Sequence, residues 1–158
     1  MAIKNKVVII TGASSGIGKA TALLLAESGA KVVLAARNQE KLEKAVNEIK
    51  ERNGEAVYKV TDVSKREEVK SLIDFTISKY GKIDVIFNNA GLMPNSPLSE
   101  FRTDEWDEMI DVNLKGVVNG IEAVLPHFIE QKSGHVISTS SVAGLNTYLG
   151  AGIYCATK

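Results

Sequence analysis

The chain has 158 residues, of which 44% are hydrophobic and 24% are charged, so it is long enough for one domain with its own core. Lysine plus arginine and aspartate plus glutamate number 19 each, which gives a formal net charge of zero. This balance argues against binding to nucleic acid or to an anionic membrane surface. No apolar stretch is long enough for a signal peptide or a membrane span. We therefore expect a cytoplasmic protein whose partners are selected by local sites.

Short apolar segments alternate with amphipathic ones along the whole chain, without repeats, low-complexity tracts or a linker. The predicted strands are rich in Val, Ile or Ala and lie at about 6–11, 31–36, 56–61, 83–87 and 134–140. The predicted helices lie near 17–28, 39–52, 65–80 and 103–131. This alternation predicts a single α/β domain over residues 1–158, with a doubly wound parallel sheet of the Rossmann type in the strand order 3-2-1-4-5.

A glycine-rich turn follows the first predicted strand, where Gly12, Gly16 and Gly18 have the spacing G-x-x-x-G-x-G. Glycine allows positive φ angles and close approach to the backbone, and the next helix begins with unpaired N–H groups that attract an anion. The spacing differs from the commoner dinucleotide fingerprint G-x-G-x-x-G but meets the same physical need. The segment predicts a pyrophosphate-binding turn, and the alternative is a tight turn without a ligand.

Three polar residues near the end of the sequence form a second pattern. Tyr154 and Lys158 lie four residues apart, and Ser141 lies thirteen residues before Tyr154. If residues 154–158 are helical, the phenol and the ammonium share one helix face. A free phenol titrates near ~10, and a neighbouring cation favours the phenolate, which suits tyrosine to proton transfer at neutral pH. The pair alone is weak evidence, because such pairs also occur by chance on helix surfaces.

Together with the sequence Asn-Asn-Ala-Gly at residues 88–91 and with Asn113, these motifs resemble the short-chain dehydrogenase/reductase family in order and spacing. The resemblance runs from one end of the chain to the other. It implies an enzyme that transfers a hydride between a nicotinamide cofactor and a carbonyl or secondary alcohol substrate. The alternative from another class is a non-catalytic dinucleotide-binding sensor or regulator. Such proteins typically lose the tyrosine or the lysine, and both residues are present here.

The resemblance also implies roles for individual residues. Tyr154 would be the general acid/base, Ser141 would hold the substrate oxygen, Lys158 would assist the tyrosine, and Asn113 would hold a water molecule in a proton relay. The residues expected to contact the cofactor are Gly12, Ser14, Ser15, Gly16, Ile17, Gly18, Arg37, Asp62, Val63, Asn89, Ala90, Gly91, Tyr154 and Lys158. No pattern of His, Cys or acidic residues suggests a metal site.

The end of the second predicted strand bears on the choice of cofactor. A fold that selects NAD usually has an acid there to bind the ribose 2′-hydroxyl, but this chain has Ala36 followed by Arg37. Arg37 could form a charge-assisted contact with a 2′-phosphate, and Ser14 could add a hydroxyl. We therefore expect NADP(H), with NAD(H) as the less favoured candidate. The alternative for Arg37 is a solvated surface side chain.

Two other site residues have structural alternatives. Asp62 would either contact the adenine amino group or cap the helix expected to begin near Ser64. Val63 would pack against the adenine ring. Asn113 would either serve in the relay or be tolerated at a buried kink of the fourth helix, where Gly116 also lowers helix propensity.

Two expectations concern the rest of the molecule. The last two helical segments have more apolar positions than one sheet face can cover, which predicts a homo-oligomer, a tetramer or a dimer. The positions in question are Val117, Val118, Ile121, Val124, Ile153 and Ala156. Members of the family continue beyond the position that Lys158 holds, so we expect that the domain lacks its C-terminal part and that the identity of the substrate depends on that part.

Overall fold

The computed structural model describes residues 3–158. Its five strands form one parallel sheet, in the order β3-β2-β1-β4-β5. The strands are β1 Val7–Thr11, β2 Lys31–Ala36, β3 Glu55–Val60, β4 Val85–Asn88 and β5 His135–Ser138. This arrangement confirms the predicted α/β fold and strand order, and each strand begins and ends within two residues of its predicted position.

Helices cover both faces of the sheet. The α-helices are α1 Gly16–Glu27, α2 Gln39–Glu51, α3 Arg66–Tyr80, α4 Thr103–Met109, α5 Gly116–Gln131 and α6 Gly152–Thr157. Val8 and Leu34 belong to the core on the side of α1 and α2, whereas Ile9 and Val33 belong to the core on the side of α3 and α5. Successive strand residues point to opposite faces, so a sheet covered on both sides requires continuous apolar strands. Within residues 3–158, no helix combines the length and apolarity needed to cross a bilayer.

The prediction of one long helix over 103–131 is wrong in its middle. The α-helix ends at Met109, the wider π-helical segment Ile110–Lys115 follows, and α5 begins at Gly116. Such a segment accommodates an extra residue in the helix, and it is frequent at functional sites. Here it contains Asn113, whose amide bonds to the backbone of the loop after β4. At the position of the kink expected from Asn113, the structure thus has a change of helix type.

Candidate functional site

The carboxyl ends of β1, β4 and β5 are tied together by side chains. The hydroxyl of Thr11 accepts hydrogen bonds from the backbone N–H groups of Asn89 and Ala90, each at 3.0 Å. The Asn89 amide donates to the carbonyl of Thr11 at 3.1 Å and accepts from the Thr139 hydroxyl at 3.2 Å. Both polar atoms of the Asn89 side chain are thus used inside the protein, which makes it part of the frame of this sheet edge.

The three glycines of the turn after β1 have different surroundings. A Cβ on Gly12 would lie 2.8 Å from the Cα of Ala90, and one on Gly18 would lie 2.5 Å from the carbonyl oxygen of Gly12. These two glycines are required for packing. Gly16 has a φ of +53° and nothing within 4 Å of its Cβ position, so it leaves open space beside a left-handed backbone. The turn therefore offers access at Gly16 and close packing on either side of it.

The start of α1 faces this open space without a cap from its own sequence. Ser15 is the N-cap residue, but its side chain forms no capping hydrogen bond, and the first turn contains no acidic residue. The first N–H groups of a helix have no partner within the helix and carry partial positive charge. Ser15, Gly16 and Ile17 are exposed, so an anion can reach these N–H groups from solvent.

A cavity of about 250 Å³ lies at this edge of the sheet. Residues from four strand ends and from the π-helical segment line it: Gly12, Ser14, Ser15, Ala36, Arg37, Asn38, Thr61, Asp62, Val63, Ala90, Gly91, Leu92 and Val112. Eight of the residues predicted to contact a cofactor are among them. The six that are not in this lining are Gly16, Ile17, Gly18, Asn89, Tyr154 and Lys158.

The two charged residues of the cavity already have partners. A guanidinium nitrogen of Arg37 donates to the carboxylate of Glu108 on α4 at 3.0 Å. One carboxylate oxygen of Asp62 accepts from the Ser64 backbone N–H at 3.0 Å and from the Ser64 hydroxyl at 2.7 Å. The predicted cap by Asp62 is wrong in position, because α3 begins at Arg66 with Lys65 as its N-cap. Asp62 instead closes the turn that leads to the helix.

Asn113 joins three parts of the structure. Its side chain is buried, with 3% of the residue exposed. The amide oxygen accepts from the Leu92 N–H at 2.9 Å, and the amide nitrogen donates to the Leu92 carbonyl at 2.9 Å and to the Thr157 hydroxyl at 3.0 Å. A donor or acceptor of a buried primary amide that lacks a hydrogen-bond partner lowers the stability of the fold. The π-helical segment, the loop after β4 and α6 are therefore fixed to one another.

Lys158 follows α6 directly and points toward the same loop. Its ammonium donates to the carbonyl of Thr139 at 3.2 Å and lies 5.8 Å from the centre of the Tyr154 ring. Burial lowers the pKa of Lys158 below the usual lysine value. A Cβ on Gly91 would lie 3.4 Å from this ammonium and 3.3 Å from the Asn113 amide oxygen. Lys158 and Asn113 thus converge on a glycine that also lines the cavity.

Ser141 lies at the end of the segment after β5. Its hydroxyl oxygen accepts from the Ala143 N–H at 3.1 Å, at the start of the short 3₁₀ turn Val142–Gly144. This bond uses a lone pair and leaves the hydroxyl proton free to be donated. The turn packs against α6, because a Cβ on Gly144 would lie 2.6 Å from the carbonyl oxygen of Lys158. Ser141 and Tyr154 are both partly exposed.

The sequence analysis did not identify several residues whose hydrogen bonds position the side chains of the site. Thr139 and Thr157 bond to Lys158 and Asn113, and no motif or spacing distinguishes these threonines. Leu92 bonds to Asn113 through its backbone, and such bonds do not depend on the type of side chain. Thr11 could have been identified from the sequence, because it directly precedes the first glycine of the turn. For residues 3–158, no group of three or more His, Cys, Asp or Glu side chains could hold a metal ion.

Comparison with known proteins gives relatives that match nearly all of this chain. Residues 6–158 match the family model described as short chain dehydrogenase. An uncharacterized oxidoreductase of Listeria monocytogenes is 68% identical over 158 residues, which are all of this chain and 64% of that protein. The chain therefore spans slightly less than two thirds of the length of this relative.

Solved structures of similar fold include cofactor complexes. A short chain dehydrogenase/reductase from Burkholderia phymatum in complex with NAD has a TM-score of 0.96 and 35% identity, over 99% of this chain and 56% of that one. An alcohol dehydrogenase from Thermococcus sibiricus complexed with 5-hydroxy-NADP has a TM-score of 0.91 and 37% identity, over 98% of this chain and 66% of that one. The family match, the sheet order and the positions of the motifs agree, and the chain belongs to the short chain dehydrogenase family.

Proposed function

We propose that this protein is an NADP(H)-dependent oxidoreductase that interconverts a carbonyl compound and a secondary alcohol, with Tyr154 as the general acid/base. The observation that supports this most is the convergence at Gly91. There, Lys158 and Asn113 approach the same backbone position that lines the cavity. The Tyr154 helix is thereby joined to the loop after β4, which lines the same cavity as the glycine-rich turn, so proton transfer and cofactor binding would occur side by side.

The residues at the cavity fit a dinucleotide. The open space at Gly16 and the uncapped start of α1 suit a pyrophosphate. The residues that would hold it are Gly12, Ser14, Ser15, Gly16, Ile17 and Gly18. Asp62 and Val63 would border the adenine, and the ribose groups would lie near Asn89, Ala90, Gly91, Tyr154 and Lys158. The nicotinamide, when bound, supplies or accepts the hydride.

The proton chemistry would be done by residues of this chain. Ser141 has a free hydroxyl proton with which to hold the substrate oxygen. Tyr154 would donate its proton to that oxygen when a carbonyl is reduced and take it back when an alcohol is oxidised. The Lys158 ammonium, 5.8 Å from the tyrosine ring centre, would supply a positive charge near the reacting tyrosine. Asn113 would keep the helix that bears both residues in position.

The preference for NADP(H) is supported by the end of β2. Ala36 supplies no carboxylate for a ribose 2′-hydroxyl, and Arg37 lines the cavity beside it. Its side chain is 62% exposed, and the ion pair with Glu108 uses only one of its terminal nitrogens. A guanidinium with free N–H groups suits the bidentate recognition of a phosphate.

Assembly into a homo-oligomer is also proposed, on a surface that differs in part from the predicted one. Val124 is fully buried in the core and cannot contribute, so that part of the prediction is wrong. Instead, large apolar side chains that are 37% to 68% exposed follow one face of the π-helical segment and α5. This stripe consists of Ile110, Leu114, Val118, Leu125 and Ile129. A continuous exposed apolar surface of this kind is typical of a protein interface.

Changing Arg37 tests the cofactor preference. We expect the wild-type protein to bind NADPH more tightly than NADH by about ten- to a hundredfold, since a hydrogen bond to a charged group contributes about 1.5–3 kcal/mol. Arg37→Asp should reverse the order, because the carboxylate repels the phosphate and accepts from a 2′-hydroxyl. Fluorescence titration with both cofactors measures this, and Arg66→Asp on α3, whose partner is Glu122, is the control. Equal wild-type affinities would contradict the assignment.

Changing Tyr154 tests the proton-transfer role. Tyr154→Phe should lower kcat by about 10²–10⁴, the usual contribution of a general acid/base, with NADPH affinity nearly unchanged. Tyr58→Phe removes a hydroxyl that bonds to Glu43 on α2 and should leave kcat intact. Lys158→Ala should lower both kcat and NADPH affinity. Retention of most activity by Tyr154→Phe would show that another group transfers the proton.

Changing Val118 tests the assembly. We expect light scattering of the complete wild-type protein to give the mass of a dimer or tetramer. Val118→Asp puts a charge in the centre of the stripe and should lower that mass while preserving the circular dichroism spectrum, since the side chain is 50% exposed. Leu24→Asp, on the exposed surface of α1, should have no effect on the mass. A wild-type mass equal to one chain would refute the proposal.

A further inference from the structure

The ion pair between Arg37 and Glu108 joins a residue that lines the cavity to helix α4. Arg37 comes from the loop after β2, and Glu108 comes from α4, 71 positions further along the chain. Glu108 also lies about one helical turn before Val112, which lines the cavity. Among residues 3–158, Glu108 is the only acid within 4.0 Å of the Arg37 guanidinium, and Arg37 is the only cation within that distance of Glu108.

Glu108 contacts the same guanidinium that a 2′-phosphate would need. A phosphate binds a guanidinium best through two parallel N–H donors, and Glu108 already engages one terminal nitrogen. If the phosphate takes the same edge of the guanidinium, it must displace the carboxylate. If it takes the other edge, two anions share one cation and repel each other. Either way, the negative charge of Glu108 opposes a cofactor that carries a 2′-phosphate and has no such effect on one that lacks it.

We propose that Glu108 is a specificity-determining residue, a built-in competitor for Arg37 that weakens the binding of the 2′-phosphate and so narrows the preference for NADP(H) over NAD(H). This inference rests on the proposed function, since it assumes that Arg37 meets that phosphate. The pair is exposed to solvent, with 62% of the Arg37 side chain and 48% of the Glu108 side chain accessible. An ion pair of this exposure is weak, so the competition is a modest adjustment of affinity and not a block.

Removal of the Glu108 charge gives the expected signature. Glu108→Gln should bind NADPH and 2′,5′-ADP about two- to fivefold more tightly than the wild type, as the loss of a weak competing ion pair predicts. NADH and 5′-AMP, which lack the 2′-phosphate, should bind as before. The difference should shrink as salt is added, because exposed charges are screened. Titration calorimetry of the complete protein measures these affinities without any need for turnover.

Two further variants separate this mechanism from a general change in charge. Glu105→Gln removes the same charge from the same helix, but its carboxylate pairs with Arg102, so it should leave all four affinities unchanged. In the Arg37→Ala background, Glu108→Gln should tighten NADPH less than it does in the wild type, because the cation for which it competes is absent and only direct charge repulsion remains.

The outcomes separate a failure of the Arg37 assignment from a failure of the role proposed for Glu108. If Arg37→Ala leaves the ratio of NADPH to NADH affinity unchanged, the assignment of Arg37 to the 2′-phosphate fails, and the role of Glu108 fails with it. If Arg37→Ala removes the preference but Glu108→Gln leaves NADPH affinity unchanged or weakens it, the assignment of Arg37 stands and Glu108 is not a competitor. Tighter binding of NADPH and 2′,5′-ADP but not of NADH and 5′-AMP, reduced without Arg37, is the result that supports the inference.

Discussion

The hydrogen bonds of the buried Asn113 amide are the constraint on which the site depends. They connect the backbone of Leu92, in the loop after β4, to the Thr157 hydroxyl on α6. The helix that bears Tyr154, α6, also bears Thr157. The bond from the Asn113 amide to the Thr157 hydroxyl holds this helix against the π-helical segment, and Lys158 adds a bond to the Thr139 carbonyl.

The departure of residues 110–115 from an α-helix is consistent with this role. A regular helix would have to present the amide of Asn113 and the apolar side chain of Val112 at fixed angles, whereas a wider turn changes those angles locally. In the structure, Val112 lines the cavity while Asn113 bonds to the backbone next to it. A single helical segment thus lines the cavity and bonds to the helix that bears Tyr154.

The sequence predicted the strands well because a parallel sheet covered on both faces needs unbroken apolar runs, and such runs are directly visible. It also placed the glycine-rich turn directly after β1 and Arg37 directly after β2, where the structure has them. It did not predict the π-helical segment, because the partners of Asn113 are backbone atoms 21 positions away. Nor did it predict the ion pair between Glu108 and Arg37, because Glu108 is an exposed acid that belongs to no motif. The inward orientation of Val124 was missed because Val117, Val118 and Ile121 are equally apolar neighbours.

Hydrogen–deuterium exchange in α6 tests the central claim most directly. Asn113→Ala removes the three hydrogen bonds, and we predict faster exchange in Gly152–Thr157 and at Leu92, with β1 and β2 unchanged. Asn119→Ala is the matched control, since this buried amide lies on the same helical stretch but donates to the Val63 carbonyl. Unchanged exchange of α6 in Asn113→Ala, or equal acceleration in both variants, would contradict the claim that Asn113 fixes α6.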